Sequence, residues 1–239
     1  QASADATWLS FSPSSGTLAA GASVGVTASI NSQANALPNG RHKATVSLTN
    51  VTQGVTRTRT ASVAAGTVDD FTELFGSGDN DLDNTTITFT PTGSGSYTAC
   101  RETATAFPTD PTGGTTLSPA DDDAKTVTLT GGATVQLFGQ SYGKFHVGSN
   151  GYVAFVVPDK SYSGTLVNHF ALPRISMLFA DLNPPAAGTV SWRQLSDRAA
   201  VTYSGIRAWG QTTTNSYQIE MFYDGTIWLT WLSIAYTNG

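Results

Sequence analysis

The sequence predicts an all-β protein built from two tandem antiparallel β-sandwich domains, a small one followed by a larger one. The chain of 239 residues is rich in Thr and Ser and poor in Leu, Met, Lys and Glu, a balance that favours strands over helices. Apolar and polar residues alternate in short segments that Gly, Pro, Asn and Ser clusters separate. An apolar content of 39% is sufficient for a packed core.

Residues 1–66 have the strand spacing of a small sandwich domain. A break at 12–16 and a Leu-Pro-Asn-Gly turn at 37–40 separate alternating segments. Arg57 and Arg59 share one face of the last segment, which favours a solvent-facing edge strand. Strands are expected at 8–11, 23–30, 43–49 and 56–63.

The start of this domain resembles a known repeat. It reads Trp8-Leu9-Ser10-Phe11-Ser12-Pro13-Ser14-Ser15-Gly16, with the loop, turn and strand around 37–40 following in order. Together these features resemble the small bacterial immunoglobulin-like repeats of the BACON type. The resemblance implies an immunoglobulin-like sandwich over residues 1–66. It also implies a spacer or accessory role, because such repeats lie beside catalytic or adhesive domains.

Residues 67–239 form the larger predicted sandwich, after a short junction at 64–67. A tract from 92 to 123 shows little apolar periodicity. Two hairpins end the domain, one turning at Ser196-Asp197 and one at Asp224-Gly225. Their strands are 190–195 with 198–203 and 216–223 with 226–234, and earlier strands are expected at 85–90, 126–130, 134–138, 144–147 and 152–155.

Four segments of this half resemble the nidogen-type extracellular domain. The resemblance covers roughly residues 135–235, whereas the tract at 92–123 differs from the opening strands of that family. It implies a non-catalytic extracellular sandwich module and names no binding partner. The segments are Val147 to Phe155, Leu178 to Asn183, Gly188 to Arg193 and Asn215 to Ile227.

Charge and cysteine content exclude several function classes. The formal net charge is −5 with no basic run, so the footprint of a nucleic-acid binder is missing. No apolar stretch approaches the ~20 residues of a membrane span. Cys100 is the single cysteine and has no internal partner, and no zinc-site spacing occurs.

The ends of the chain predict a piece of a longer protein. Gln1 opens on a polar stretch without the features of a signal peptide. The last strand ends in Asn238-Gly239, a turn that normally leads into another strand, so truncation of the larger domain is expected there. The low charge and the Thr- and Ser-rich composition are typical of bacterial secreted modules, which often fold without disulfides. We therefore expect a secreted bacterial protein with adjoining domains in its parent chain.

Aromatic residues of the last hairpin suggest a carbohydrate site. A two-residue turn at Asp224-Gly225 would place Gln218 opposite Trp231 and Glu220 beside it, on the outer face of the sheet. An exposed indole flanked by an amide and a carboxylate is suited to stacking against a sugar ring. The opposing interpretation is that a strand or the 92–123 tract covers this face. Trp209, in a loop, is the next sugar-binding candidate, or else a plug at the sandwich rim.

One acidic turn is a candidate calcium site. Asp79, Asp81 and Asp83 alternate as carboxylates do in Ca²⁺-binding loops. Thr90 stands where an EF-hand has its last glutamate, and no flanking helices are predicted. The simpler interpretation is a solvated turn, and the run 121–123 is a weaker case of the same kind.

No catalytic constellation is evident. His146 or His169 could be combined with Asp181 and a serine, yet no nucleophile elbow is present. A glycosidase pair would need a facing partner for Glu220, and Asp224 is explained by its turn. We therefore expect a non-catalytic accessory region that binds polysaccharide or another extracellular surface ligand. The alternatives are a structural spacer or self-assembling adhesion domain and, last, a hydrolase.

Overall fold

The protein folds into two compact units, Gln1–Phe71 and Thr72–Gly239. A computed structural model describes residues 1–37, 40–65, 71–93 and 95–236. The expected turn residues Pro38 and Asn39, part of the junction at 64–67, and the terminal Asn238-Gly239 lie outside the described residues. The described structure is all-β, as the sequence predicts.

The first unit contains a three-stranded and a two-stranded antiparallel sheet. The three-stranded sheet has the order β1-β4-β5, so β5, which carries Arg57 and Arg59, is an edge strand as predicted. The expected strand at 23–30 forms only from residue 27. The elements are β1 (Ala2–Ala4), β2 (Leu9–Ser12), β3 (Thr27–Ile30), a 3₁₀ helix (Ser32–Ala36), β4 (Gly40–Asn50) and β5 (Val55–Ala65).

The second unit begins with eight strands that include two in the tract at 92–123. Alternation is weak there because most side chains of the longer strand, β7, are exposed. The strands are β6 (Thr85–Pro91), β7 (Tyr97–Thr103), β8 (Thr115–Leu117), β9 (Ala124–Thr128), β10 (Val135–Leu137), β11 (Gln140–Tyr142), β12 (Lys144–Gly148) and β13 (Tyr152–Ala154).

The remaining elements complete two main antiparallel sheets. One has seven strands in the order β7-β6-β18-β17-β16-β15-β8, and the other has four in the order β14-β13-β12-β9. Large apolar side chains from both sheets form one buried core cluster. The elements are α1 (Leu166–His169), β14 (Arg174–Ser176), β15 (Thr189–Gln194), β16 (Arg198–Arg207), β17 (Thr214–Phe222) and β18 (Ile227–Ser233).

The first C-terminal hairpin has the predicted register, and the second does not. Val190 faces Tyr203, which agrees with a two-residue turn at Ser196-Asp197. In the second hairpin Met221 faces Ile227, so the loop has three residues, 223–225. Gly225 closes this loop at φ +94°, the left-handed conformation that a three-residue hairpin loop requires.

This difference of one residue reverses the faces of β18. Gln218 and Glu220 lie on the outer face of β17 as predicted, but Glu220 faces Trp228 there and Gln218 faces Thr230. Trp231 faces Tyr217 in the core, is 4% exposed, and donates from Nε1 to the Met177 carbonyl at 3.0 Å. The predicted exposure of Trp231 is therefore wrong, because a register slip of one residue moves every side chain to the opposite face.

Candidate functional site

The outer face of the seven-stranded sheet combines one tryptophan with a field of polar side chains. Thr88, Trp228 and Glu220 lie in register on β6, β18 and β17. The next row contains Thr86, Thr230 and Gln218, and the hydroxyls of Thr86 and Thr230 are 2.8 Å apart. Since successive side chains of a strand point to opposite faces, the apolar residues between them reach the core.

Residues after β7 cross this face and cover Gln218 and Glu220 completely. The Thr109 amide donates to Gln218 Oε1 at 3.0 Å, and Gln218 Nε2 donates to the Thr109 carbonyl at 2.7 Å. The Thr109 hydroxyl also donates to Glu220 Oε1. Gln218 and Glu220 are both fully buried. The 92–123 tract therefore covers these two residues, which was the opposing interpretation of the sequence.

A groove remains open beside this crossing segment. It has a volume of about 310 Å³, and Trp228 forms part of its floor with Thr86 and Thr88. Glu102 and residues 103–108 form the rest of its lining. The groove thus offers an aromatic ring, threonine hydroxyls and one carboxylate to a ligand.

Trp228 is held by neighbours on the same face. The centroids of its ring and the Phe222 ring are 5.0 Å apart. The Arg198 guanidinium lies 4.3 Å from the Phe222 centroid and 5.9 Å from the Trp228 centroid. These contacts restrict the indole before any ligand arrives.

Arg198 also forms an ion pair with the buried Glu220. Arg198 Nη1 lies 3.1 Å from Glu220 Oε1, while Glu220 Oε2 is buried and has no hydrogen-bond partner in the described part of the chain. Burial raises the pKa of Glu220, and the hydrogen bond from Thr109 and the charge of Arg198 oppose that rise. The carboxylate therefore serves to attach the crossing segment to the sheet.

Trp209, the second sugar-binding candidate, is 57% exposed in the loop after β16. Its backbone amide donates to the Asp181 carbonyl at 2.8 Å. It is not among the residues that line the groove. The structure thus supplies two separate aromatic candidates, Trp209 and Trp228, and the sequence prediction missed Trp228 through the hairpin register.

The candidate calcium ligands Asp79, Asp81 and Asp83 have separate surroundings. Asp81 pairs with Arg101 at 2.9 Å, and Asp83 Oδ1 accepts from the Ile234 amide at 2.6 Å. They do not form a cluster of three carboxylates around one point in the described part of the chain. The convergence expected from the sequence is absent there, and calcium binding by this turn stays a prediction.

A different trio of carboxylates does converge. One oxygen from each of Asp121, Asp122 and Asp181 lies within 4.8 Å of the others. Burial and the neighbouring carboxylates raise the pKa of Asp121 and of Asp181. Asn150 Nδ2 donates to Asp122 Oδ1 at 2.9 Å. Asp181 is distant in sequence from 121–122, so no local spacing could reveal this cluster.

The histidines considered for catalysis contact hydroxyl groups. His146 is buried, with Nδ1 at 3.0 Å from the Thr126 hydroxyl, and burial lowers its pKa. His169 has the Ser176 hydroxyl at 3.0 Å from Nδ1 and the Thr72 hydroxyl at 3.0 Å from Nε2. Neither contact pairs a histidine with Asp181.

The fold and the groove define an all-β sandwich module with a polar and aromatic surface site. Residues 96–195 match a family model described as NIDO related. The match supports a nidogen-type module in the larger unit, which is an extracellular type of domain. It begins at residue 96 and so includes most of the tract at 92–123 that the sequence analysis set apart from this family.

No curated protein and no solved structure matches the chain. Among the described residues, no helix has the length and hydropathy to cross a membrane.

Proposed function

We propose that this chain is a non-catalytic accessory region of a larger secreted bacterial protein and that its larger unit binds polysaccharide. The observation that carries the proposal is the groove on the outer sheet face, where Trp228 lies beside threonine hydroxyls. The first unit then acts as a spacer, in keeping with its resemblance to BACON-type repeats.

The groove chemistry suits a sugar ring. The C–H groups on one face of a pyranose pack against an indole, while its hydroxyls need hydrogen-bond partners around the ring. Thr88 supplies a hydroxyl that can donate and accept, and Glu102 supplies acceptors. The buried Thr86 hydroxyl is already bonded to Thr230. Trp228 therefore takes the stacking role that the sequence prediction gave to Trp231.

The groove is also pre-organised on two sides. Phe222 and Arg198 hold the indole, and the bonds of Thr109 to Gln218 and Glu220 hold the segment that forms the wall. The protein side of the groove therefore loses little conformational entropy when a ligand binds. Gln218 and Glu220 support the site from below and do not contact the ligand.

The test measures binding to a panel of polysaccharides. Tryptophan fluorescence detects binding to the soluble members, and pull-down detects binding to the insoluble ones. We expect saturable binding that Trp228→Ala weakens by about tenfold or more. Trp209→Ala is the control, because it removes an exposed indole that lies outside the groove, whereas Trp228 is half-buried within it. The assay is run with calcium and with chelator, so that a contribution of Asp79, Asp81 and Asp83 would be detected.

Two outcomes would contradict the proposal. Loss of binding in Trp209→Ala alone would assign the site to the loop after β16. No binding to any polysaccharide by the folded parent protein would remove the carbohydrate function and leave the spacer or assembly role. Circular dichroism of each variant establishes that it is folded.

A further inference from the structure

Strand β7 forms an edge of the seven-stranded sheet, and within the described ranges its outer side is unpaired. It pairs with β6 from Tyr97 to Thr103 without a register shift. Residues 98–103 are exposed, and no strand lies beyond β7 in the sheet order of the described residues. The strand contains no proline and no bulge, two common devices that prevent edge pairing.

The backbone groups that face outward can be assigned from the ladder. The Thr92 amide donates to the Ser96 carbonyl and the Ala104 amide donates to the Asn84 carbonyl, at opposite ends of the β6–β7 pair. Hydrogen-bonded pairs alternate along an antiparallel ladder, so even-numbered residues of β7 bond to β6. The outward amides and carbonyls are those of Tyr97, Ala99, Arg101 and Thr103.

We propose that two copies of this chain pair antiparallel through β7, about a two-fold axis centred on Cys100. In this register Tyr97 faces Thr103 of the second copy, and Ala99 faces its Arg101. All seven residues pair, with about eight main-chain hydrogen bonds between the copies. The inference is independent of carbohydrate binding.

Charge favours this register over its neighbours. Moving the axis by one residue to Arg101 would crowd two arginines that each already pair with Asp81 and would leave only residues 99–103 paired. Moving it to Glu102 would set two carboxylates directly opposite, which is destabilising. Moving it to Ala99 leaves fewer β7 residues paired. With the axis at Cys100, Glu102 faces the Thr98 hydroxyl of the second copy, which can donate to it.

We assign a second copy of this chain as the partner of β7, because two β7 strands in this register are complementary to each other. A two-fold axis perpendicular to the sheet keeps both outer faces on the same side. The two grooves, which Glu102 and Thr103 help to line, would then open on the same side of one continuous sheet. If the grooves bind polysaccharide, the pair would be bivalent toward a polymer.

Cys100 reports this register directly. It is exposed and occupies a non-hydrogen-bonded position of the new pair, where the Cα atoms of opposite residues are about 4.5 Å apart. That separation lies within the disulfide range of about 4.4–6.8 Å. With copper(II)–phenanthroline as oxidant, two thiols form one S–S bond, two protons leave, and two electrons pass to copper.

The test uses the whole chain. We expect a mass that doubles with rising concentration in size-exclusion chromatography with light scattering, and rapid cross-linking through Cys100. Ala99→Pro removes an outward amide without touching the β6 ladder and should weaken the dimer by about tenfold or more. Ala99→Ser, which keeps that amide, is the matched control and should leave the dimer intact.

A variant with the thiol moved to another residue distinguishes cross-linking within the proposed dimer from cross-linking by random collision. In the double variant Cys100→Ser/Thr98→Cys the two thiols of a dimer would be about 14 Å apart, so no cross-link is expected. Equal cross-linking of this variant and the parent would overturn the proposal. A parent that stays monomeric at about 0.5 mM would overturn it as well.

Discussion

Tyr203 and Tyr217 stack in the centre of the sandwich with ring centroids 4.8 Å apart, but only one of the two hydroxyls has a hydrogen-bond partner among the residues that the structure describes. Tyr203 Oη donates at 2.7 Å to the Gly148 carbonyl and lies 3.0 Å from the Tyr152 carbonyl. Tyr217 Oη is buried without a partner among the described residues. Tyr203 therefore joins the two sheets by a polar contact, whereas Tyr217 contributes packing.

This difference predicts opposite results for the same chemical change. Tyr203→Phe should lower the free energy of unfolding by about 2 kcal/mol, because it removes the donor that two buried carbonyls share. Tyr217→Phe removes a hydroxyl whose burial without a hydrogen bond is unfavourable, so the substitution should be neutral or stabilising. Urea unfolding of both variants measures the two effects. Equal losses in the two variants would contradict this account.

Gly151 is required by both its conformation and its surroundings. Its φ is +81°, and a Cβ there would lie 2.1 Å from the Leu178 carbonyl oxygen. Gly151→Ala should therefore destabilise the protein by about 3 kcal/mol or more. Gly210 also has a positive φ, +67°, but has open space around it. Gly210→Ala should cost only about 1 kcal/mol, and thermal unfolding of the pair separates the clash from the backbone strain.

Local sequence predicts most strands of the larger unit because alternation and turn residues there agree with the fold. The Asn-Gly signal before Tyr152 and the short turn after Leu195 both lead to the expected pairings. The loop at 223–225 shows the limit of this reasoning. An Asp-Gly pair fits two-residue and three-residue loops alike, and the choice between them decides whether Trp228 or Trp231 faces outward.

The candidate site depends on contacts that no local pattern encodes. Thr109 reaches Gln218 and Glu220 from a tract without periodicity, so its role is visible only in the fold. Trp209 is exposed, as a loop position suggests. The meeting of Asp181 with residues 121–122 is likewise a product of chain topology.

The cluster of Asp121, Asp122 and Asp181 predicts a gain in stability when one charge is removed. The pKa of Asp121 is raised in the folded protein, so the folded state holds its proton more tightly than the unfolded state. Stability from this group is present at low pH and is lost as pH rises through the ordinary pKa toward the raised one. Asp121→Asn should therefore stabilise the protein at pH 7.5, and do so less at pH 3.5.

Chemical unfolding of Asp121→Asn at the two pH values provides the measurement. Asp224→Asn is the control, since Asp224 lies in the exposed hairpin loop outside the cluster. A stabilisation of Asp121→Asn that is the same at both pH values would mean that charge repulsion is not its cause.

The ion pair of Arg198 and Glu220 leads us to expect a pH-dependent stability on the outer face. Arg198→Met leaves the fully buried Glu220 without its cation and should cost about 3 kcal/mol at pH 7.5. Burial already raises the pKa of Glu220, and loss of Arg198 raises it further, because the opposing attraction disappears. A raised carboxyl pKa means that stability is retained at low pH and lost as pH rises, so the cost of Arg198→Met should shrink toward pH 4.

Urea titrations of parent and Arg198→Met between pH 4 and 8 measure this difference. The control is Glu220→Gln/Arg198→Met, in which position 220 cannot ionise and the amide can still accept from Thr109. Its stability relative to Glu220→Gln should not vary with pH. A cost of Arg198→Met that stays constant across the range would show that Arg198 stabilises the face through its stacking on Phe222 instead, because that contact does not titrate.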